Sequence, residues 1–130
     1  MENVNPAREK IVKLIDLINN EKYSKASHLS SQLLAKNKRS HIIHNLHGVV
    51  NLHMSKYDEA ILSFLKAIKL NKNFFDPYNN LGQAYFKKGK LDLAVESYKN
   101  ALIINRKSYI SYTNLAKIYY LKKEFSNSFE

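Results

Sequence analysis

The sequence predicts an all-α protein, an α-solenoid built from antiparallel pairs of helices. Three observations lead to this fold class. The 130 residues include only three Gly and two Pro, while strong helix formers are plentiful. Apolar residues recur three and four positions apart, the spacing of one helical face. The sequence also aligns with itself after a shift of 34 positions, from Gly48 to Gly82, which is typical of stacked supersecondary units.

The repeat is clearest where small residues and aromatic residues recur. The aligned pairs are Ala26 with Ala60, Ala60 with Ala94, Ala67 with Ala101, Phe64 with Tyr98, Leu81 with Leu115 and Tyr85 with Tyr119. After an N-terminal segment 1–6, the period predicts a single repeat domain over 7–130. Its units are 7–40, 41–74, 75–108 and a partial unit 109–130.

Each complete unit is expected to form two amphipathic helices. The predicted helices are 7–19, 24–36, 41–54, 58–70, 75–88, 92–104 and 109–122, with an eighth beginning at 126. Four residues at equal intervals are predicted to cap the second helices: Ser24, Asp58, Asp92 and Ser126. Caps for first helices are expected at Ser40, at Ser108 and at Asp76, with Pro77 at the first helical position. Three aligned asparagines are predicted to end the second helices in left-handed geometry: Asn37, Asn71 and Asn105.

The composition excludes several classes of protein. Because the sequence has no Cys, disulfide scaffolds, thiol chemistry and thiolate metal sites are excluded. No apolar run approaches the roughly 20 residues needed to cross a bilayer, so no membrane association is expected. The N-terminus lacks an apolar signal core followed by a cleavage site, and the cytoplasm is the expected location.

The formal net charge of +10 has two interpretations. A basic face would attract nucleic acid or another acidic partner, whereas dispersed lysines would form a solvated surface. The 18 Lys and three Arg are spread along the chain without a basic block. This distribution favours the solvated surface, and the lack of an Arg-rich groove argues against nucleic acid.

No catalytic constellation stands out, and no cofactor is expected. The sequence has no phosphate-binding Gly loop, nucleophile elbow or HExxH motif. A histidine cluster, His41, His44, His47 and His53, has spacings that would suit zinc or copper. Since His44 and His47 fall at packing positions of the repeat and no carboxylates complete a site, packing or a polar surface is the favoured interpretation. A pH-sensitive seam is a further alternative.

The third unit carries the most recognisable motif. Tyr78-x2-Leu81-Gly82-x2-Tyr85, followed by Ala94-x3-Tyr98 and Ala101, resembles the tetratricopeptide repeat. The resemblance covers about 7–130 and weakens toward the first unit. The second unit departs from the pattern at three large packing positions, which hold His44, His47 and Asn51.

The resemblance implies a right-handed superhelix whose first helices line a concave groove for a peptide or partner helix. The positions that it assigns to this groove are Ile15, Ile18, Asn45, Val49, Leu52, Asn79, Asn80, Gln83, Phe86, Thr113, Asn114, Lys117 and Tyr120. Some family members clamp the C-terminal carboxylate of a chaperone with Lys and Arg. The positions where such groups or their Asn partners would be sought hold Ile11, Ile15, Val49 and Asp76, so no such clamp is expected.

The predicted function is a non-catalytic protein–protein interaction module, or scaffold, that binds a peptide or protein segment, and an acidic partner is one option. The alternative is the N-terminal repeat region of a larger enzyme, of glycosyltransferase or sulfotransferase type, that recruits or positions its substrate. Leu115 and Tyr119 are predicted to lack a covering helix. We therefore expect either a longer protein or self-association through the C-terminal end.

Overall fold

The computed structural model describes the backbone of residues 6–128 and the side chains of residues 7–124. This part of the chain holds seven α-helices and no strand. They are α1 (Pro6–Asn19), α2 (Tyr23–Lys36), α3 (His41–His53), α4 (Tyr57–Leu70), α5 (Phe75–Lys87), α6 (Leu91–Ile104) and α7 (Tyr109–Ser128). The chain divides into two compact units, Met1–Lys72 and Asn73–Glu130. None of the described helices is both long enough and apolar enough to cross a membrane.

Unit 1 contains α1 to α4. Its core consists of apolar side chains that the 3.6-residue period places on the inner faces of three helices. They are Leu14 from α1, Ala26 and Leu33 from α2, and Ile43 and Val50 from α3. The closest packing joins α3 to α4, with α2 against α3 and α1 against α2. Two helical hairpins therefore share one apolar layer.

Unit 2 contains α5 to α7. Ala94, Val95 and Tyr98 of α6 form its core together with Leu115 and Ile118 of α7. The hairpin of α5 and α6 is the tightest contact of the unit, and α7 packs on α6. The sequence prediction that Leu115 lacks a cover is wrong, because this side chain is only 8% exposed, whereas Tyr119 is exposed as expected.

A glycine faces an aromatic ring in both of the tight hairpins. A Cβ atom added to Gly48 would lie 2.5 Å from the Phe64 ring, and one added to Gly82 would lie 2.6 Å from the Tyr98 ring. No real Cβ contact is so short, so only glycine fits at either position. This pairing confirms the size-matched seam that the 34-residue repeat predicts.

The turn inside each hairpin has the same main-chain geometry. Glu21, Ser55 and Gly89 adopt φ values of 58°, 61° and 76°, and each follows the last turn of a first helix. The next amide donates to the carbonyl five residues back in every case, from Lys22 to Leu17 for example, which is the Schellman arrangement. The chain therefore reverses through a left-handed residue in all three turns.

This geometry corrects the predicted caps of the second helices. These helices begin at Tyr23, Tyr57 and Leu91, one residue early, and the residues before them make no side-chain cap. Three of the predicted caps lie at the second helical position instead: Ser24, Asp58 and Asp92. The reason is that the Schellman turn already satisfies the last carbonyls of the preceding helix and directs the chain into the next one.

Caps of the first helices follow the prediction in two of three cases. Ser40 Oγ accepts a hydrogen bond from the Ile43 amide at 3.2 Å, and Ser108 Oγ accepts from the Ser111 amide at 3.2 Å. Asp76 is not a cap, because α5 begins one residue before it at Phe75. Pro77 consequently occupies the third helical position, where its missing N–H still removes no helical bond.

The aligned asparagines end the second helices, but their predicted left-handed geometry is wrong. Asn37, Asn71 and Asn105 are the residues that follow α2, α4 and α6, with φ values of −135°, −148° and −130°. Each is followed by a two-residue turn, at 38–39, 72–73 and 106–107, that leads into the next helix. The Asn37 side chain stabilises the end of α2 by donating to the Leu33 carbonyl at 2.9 Å.

The last described helix differs from the prediction. α7 continues from Tyr109 to Ser128, so the predicted break before an eighth helix at 126 is absent. The segment Leu-Lys-Lys-Glu at 121–124 consists of strong helix formers and contains no Gly or Pro. Nothing in it stops the helix. The side chain of Ser126, which was predicted to cap the eighth helix, lies outside the described residues.

Candidate partner-binding groove

In unit 1, the predicted groove positions form a mostly apolar surface on α1 and α3. Ile15 is 39% exposed, and Ile18, Val49 and Leu52 are partly buried. Asn45, in contrast, is buried and engaged in a contact of its own. The apolar positions are thus open to a ligand, whereas the Asn45 amide has little accessible surface.

In unit 2, the groove positions of two successive first helices lie next to each other. The Lys117 ammonium group of α7 sits 5.2 Å from the centre of the Phe86 ring of α5, a cation–π contact. Gln83 and Tyr120, which neighbour this pair along the two helices, are both exposed. The surface combines an aromatic face, a cation and an amide.

A hydrogen-bonded chain fixes the amide of Asn79. Ser108 Oγ donates to Ser111 Oγ at 3.1 Å, and Ser111 Oγ donates to Asn79 Oδ1 at 3.1 Å. The Asn79 carbonyl oxygen therefore points at α7, which leaves its NH2 group for a ligand. Sequence reasoning missed Ser111, which is fully buried, although its spacing from the cap Ser108 offered a signal.

The remaining polar groove positions differ in how they are engaged. Asn114 Nδ2 is buried and has no hydrogen-bond partner within residues 7–124, so one donor there is unsatisfied. Asn80 is half-buried and already has a contact. Thr113 is exposed, and its hydroxyl donates back to the Tyr109 carbonyl at 2.9 Å. The Asn114 amide nitrogen has almost no accessible surface, so a ligand would reach it only after neighbouring side chains move.

The four clustered histidines are held apart by different partners. His41 Nε2 is 3.4 Å from Asn71 Nδ2, and His53 stacks on the Tyr23 ring with centroids 4.8 Å apart. His44 and His47 face other polar groups of unit 1. Across residues 7–124 the structure brings no three potential ligands together for a metal ion. Packing and polar contacts account for the cluster.

Two family models match the repeats of this chain. The model described as TPR repeat matches residues 53–89, and the model described as Tetratricopeptide repeat matches residues 75–108. The chain contains tetratricopeptide repeats, which these two matches place over residues 53–108. A search of curated proteins returns no match. The matched segments include Gly82 and Tyr98, whose contact makes the tight hairpin of unit 2.

Solved tetratricopeptide repeat domains share the fold at low sequence identity. The first TPR of Spaghetti (RPAP3), bound to the HSP90 peptide SRMEEVD, is 19% identical, with a TM-score of 0.85 over 90% of this chain and 93% of that one. The second TPR domain of human RPAP3, in complex with the HSP70 peptide SGPTIEEVD, is 21% identical, with a TM-score of 0.77 over 86% and 97%. The Sgt2 TPR domain from Aspergillus fumigatus is 17% identical, with a TM-score of 0.89 over 97% and 85%.

Proposed function

We propose that this tetratricopeptide repeat chain is a non-catalytic interaction module that holds an extended segment of a partner protein along the first helices of its hairpins. The contact between Lys117 and Phe86 carries the proposal. It places a cation and an aromatic face from successive first helices at one accessible surface. Exposed aromatic and cationic groups of this kind commonly anchor protein partners.

The chemistry of these positions favours a partner with acidic and apolar side chains. Lys117 and the net charge of +10 would attract carboxylates. Ile15, Ile18 and Leu52 would accept an apolar anchor. Two domains with this fold are bound to the acidic peptides SRMEEVD and SGPTIEEVD. These relatives support a peptide ligand as the class of partner.

The recognition that we propose does not depend on a terminal carboxylate. Ile11, Ile15 and Val49 are apolar and Asp76 is acidic, so these positions offer no cationic clamp. We therefore expect internal acidic segments to bind as well as segments at a C-terminus. We also propose the cytoplasm as the compartment in which the partner is met.

A displayed library of random peptides tests the proposal. Peptides selected on the full chain are measured by fluorescence anisotropy against the Phe86→Asp and Lys117→Glu variants. We expect both variants to weaken binding by at least about tenfold, because they replace the anchor or reverse the charge. The peptides SRMEEVD and SGPTIEEVD serve as defined acidic probes.

Ile103→Asp is the matched control, since Ile103 is 73% exposed on the second helix α6 and lies outside the predicted groove. It should leave the affinity unchanged. Circular dichroism checks that Phe86→Asp stays folded, and Lys117→Glu changes an exposed residue only. If neither groove variant alters binding, or if the control weakens it equally, the proposed surface is wrong.

The asparagines provide a second test of the same surface. Replacing Asn79 and Asn114 together by alanine removes two amides from the groove positions. We expect the affinity of a selected peptide to fall by about fivefold to tenfold, the effect of one or two neutral hydrogen bonds. Unchanged affinity in a folded double variant would contradict a backbone-binding role for these residues.

A further inference from the structure

A second accessible surface lies in unit 1, away from the groove positions. An open cleft of about 460 Å³ separates α2 from α4, and α3 forms its floor. The floor residues are His44, His47 and Asn51, which precede the groove positions Asn45, Val49 and Leu52 on the same helix by one or two residues. One residue is about 100° of rotation around a helix, so the cleft uses a different face of α3.

The cleft exists because the second unit lacks its large packing residues. The equivalent positions of the third unit hold Tyr78, Leu81 and Tyr85, each 34 residues further along the sequence. In the second unit, smaller and polar side chains stand in these places. Bulky residues on α3 would fill the space between α2 and α4. In the second unit this space is open and lined with hydrogen-bonding groups.

Both floor histidines are fixed by one ring nitrogen each. His47 Nδ1 lies 2.7 Å from Ser30 Oγ, and Ser30 Oγ itself donates to the Ser27 carbonyl at 3.1 Å. His44 Nε2 lies 2.8 Å from the Lys38 carbonyl, to which it donates. These bonds hold the rings in place. Because the Ser30 hydroxyl proton goes to Ser27, His47 Nδ1 is the donor to Ser30, and His47 Nε2 can donate to another partner only when the ring is protonated.

The walls of the cleft are rich in donors and positive charge. Lys56 precedes the first turn of α4, and Lys66 lies further along the same helix. Hydroxyl groups come from both walls, at Ser27, Ser31 and Ser63. Glu59 is the one carboxylate among the lining residues, so cations outnumber anions there even with both histidines neutral.

From this geometry we infer that the cleft binds a phosphoryl group. A phosphate dianion has several acceptor oxygens, which suit a site with ammonium, hydroxyl and amide donors on three sides, to which His47 adds a donor when its ring is protonated. An isolated carboxylate would use fewer of them. The phosphoryl group comes either from a phosphorylated side chain of a partner or from free phosphate, and the test separates the two.

Binding to the cleft is linked to the charge of His47. Burial, followed by the nearby His44 and Lys56, lowers the pKa of His47 below its usual 6.5. The charged and titratable groups lining the cleft are His44 from α3, and Lys56, Glu59 and Lys66 from α4 and its N-terminus; α2 contributes only neutral residues. A bound dianion would offset the repulsion from the cations. The pKa of His47 should therefore rise when the cleft is occupied. Binding should tighten as the pH falls toward about 6, below which the phosphoryl dianion itself takes up a proton.

Nuclear magnetic resonance of the His47 ring in the full chain tests the inference. The probes are inorganic phosphate, the peptide Gly-Gly-phosphoserine-Gly-Gly and its unphosphorylated form, each at constant ionic strength. We expect a saturable shift of the His47 signals and an upward shift of its pKa with the phosphorylated probes only. Tighter binding of the phosphopeptide would assign a phosphorylated partner, and tighter binding of phosphate would assign the free ion.

Lys90→Gln provides the matched control, because Lys90 is the repeat equivalent of Lys56 in unit 2 and does not line the cleft. Lys56→Gln should weaken binding by at least about tenfold, the usual loss for a charge-assisted contact, and Lys90→Gln should not. His47→Leu, which places an apolar residue there, should remove the tightening of binding at lower pH in a folded chain. The absence of a saturable shift, equal effects of the two lysine variants, or an equal response to the unphosphorylated peptide would overturn the inference.

Discussion

At the scale of single residues, the contact between Gly82 and Tyr98 sets how closely α5 approaches α6. We expect Gly82→Ala to lower the free energy of unfolding by about 1–3 kcal/mol, because its Cβ would overlap the buried ring. The intrinsic preference of alanine for helices, about 1 kcal/mol, opposes this cost. Urea denaturation measures the net change.

The same substitution in a Tyr98→Leu background is the control for this prediction. With the ring removed, the penalty of Gly82→Ala should shrink or change sign, since only the helical preference of alanine remains. If the penalty is the same in both backgrounds, it does not arise from the ring contact.

The Tyr98 hydroxyl gives the protein a dependence on alkaline pH. Burial raises the pKa of Tyr98 well above 10, its usual value. In the unfolded chain this tyrosine ionises near pH 10, so its burial contributes stability that is fully present below that pH and is lost as the pH rises toward the folded-state pKa. We expect the urea midpoint to fall more steeply between pH 10 and 11 in the native sequence than in Tyr98→Phe. Equal slopes would exclude this source.

His47 makes stability depend on acidic pH. Its pKa is lowered in the fold, whereas the pKa of Tyr98 is raised. Because the pKa of His47 is lowered in the fold, its contribution is present above about pH 6.5 and is lost as the pH falls through the folded-state pKa. His47→Leu should remove this part of the acid sensitivity, as urea denaturation at pH 5 and pH 7.5 will measure. A variant as acid-sensitive as the native chain would contradict the prediction.

Some residue contacts had no signal in the sequence. Ser30 meets His47 across 17 positions and Ser111 meets Asn79 across 32, and neither pair recurs at the repeat interval. Such contacts depend on side-chain rotamers and on which buried polar groups still need a hydrogen-bond partner once the helices have packed. The glycine–aromatic pairs were predictable, since their sizes complement each other in two aligned units.

At the scale of elements, the seven described helices lie within one or two residues of prediction, apart from the C-terminal end of α7. Hydrophobic periodicity and the repeat carry that information. The hairpin turns were missed, because the left-handed position holds Gly only at Gly89 and holds Glu21 and Ser55 elsewhere. A sequence signal for a Schellman turn depends largely on glycine.

These turns make a prediction about stability. A non-glycine residue at positive φ costs roughly 1 kcal/mol, so Glu21→Gly and Ser55→Gly should each stabilise the fold by about 0.5–1 kcal/mol. Gly89→Ala should destabilise it by a similar amount, although no atom lies near enough to clash. Thermal and urea unfolding of the three variants measures these effects. Destabilisation by either glycine substitution would show that the side chains contribute more than the backbone strain.

At the scale of the whole molecule, the net charge of +10 acts against compactness. Repulsion among the lysines is screened at physiological ionic strength, where the Debye length is about 8 Å. We expect the melting temperature to rise by a few degrees when sodium chloride increases from about 0.01 to 0.15 M. A fall would mean that ion pairs, such as Lys122 with Asp92, outweigh the repulsion.

The sequence predicted the family and the repeated architecture because small packing residues and the 34-residue period survive even where identity to known structures is near 20%. The single domain over 7–130, the full groove and self-association through the C-terminal end stay predictions. The residues that contact a partner lie on the surface, where the packing of the helices does not determine the residue type. Light scattering at high concentration tests self-association, and a monomer would contradict it.

The exposed hairpin turns, in a chain without cysteine, also suit spectroscopic distance measurement. Glu21 and Ser55 already carry side chains at the same backbone geometry, one structural period apart. Cysteines introduced there would be the sole thiols for paired spin labels or fluorophores. The distance between the two labels would report whether the hairpins of unit 1 move relative to each other when a ligand is added.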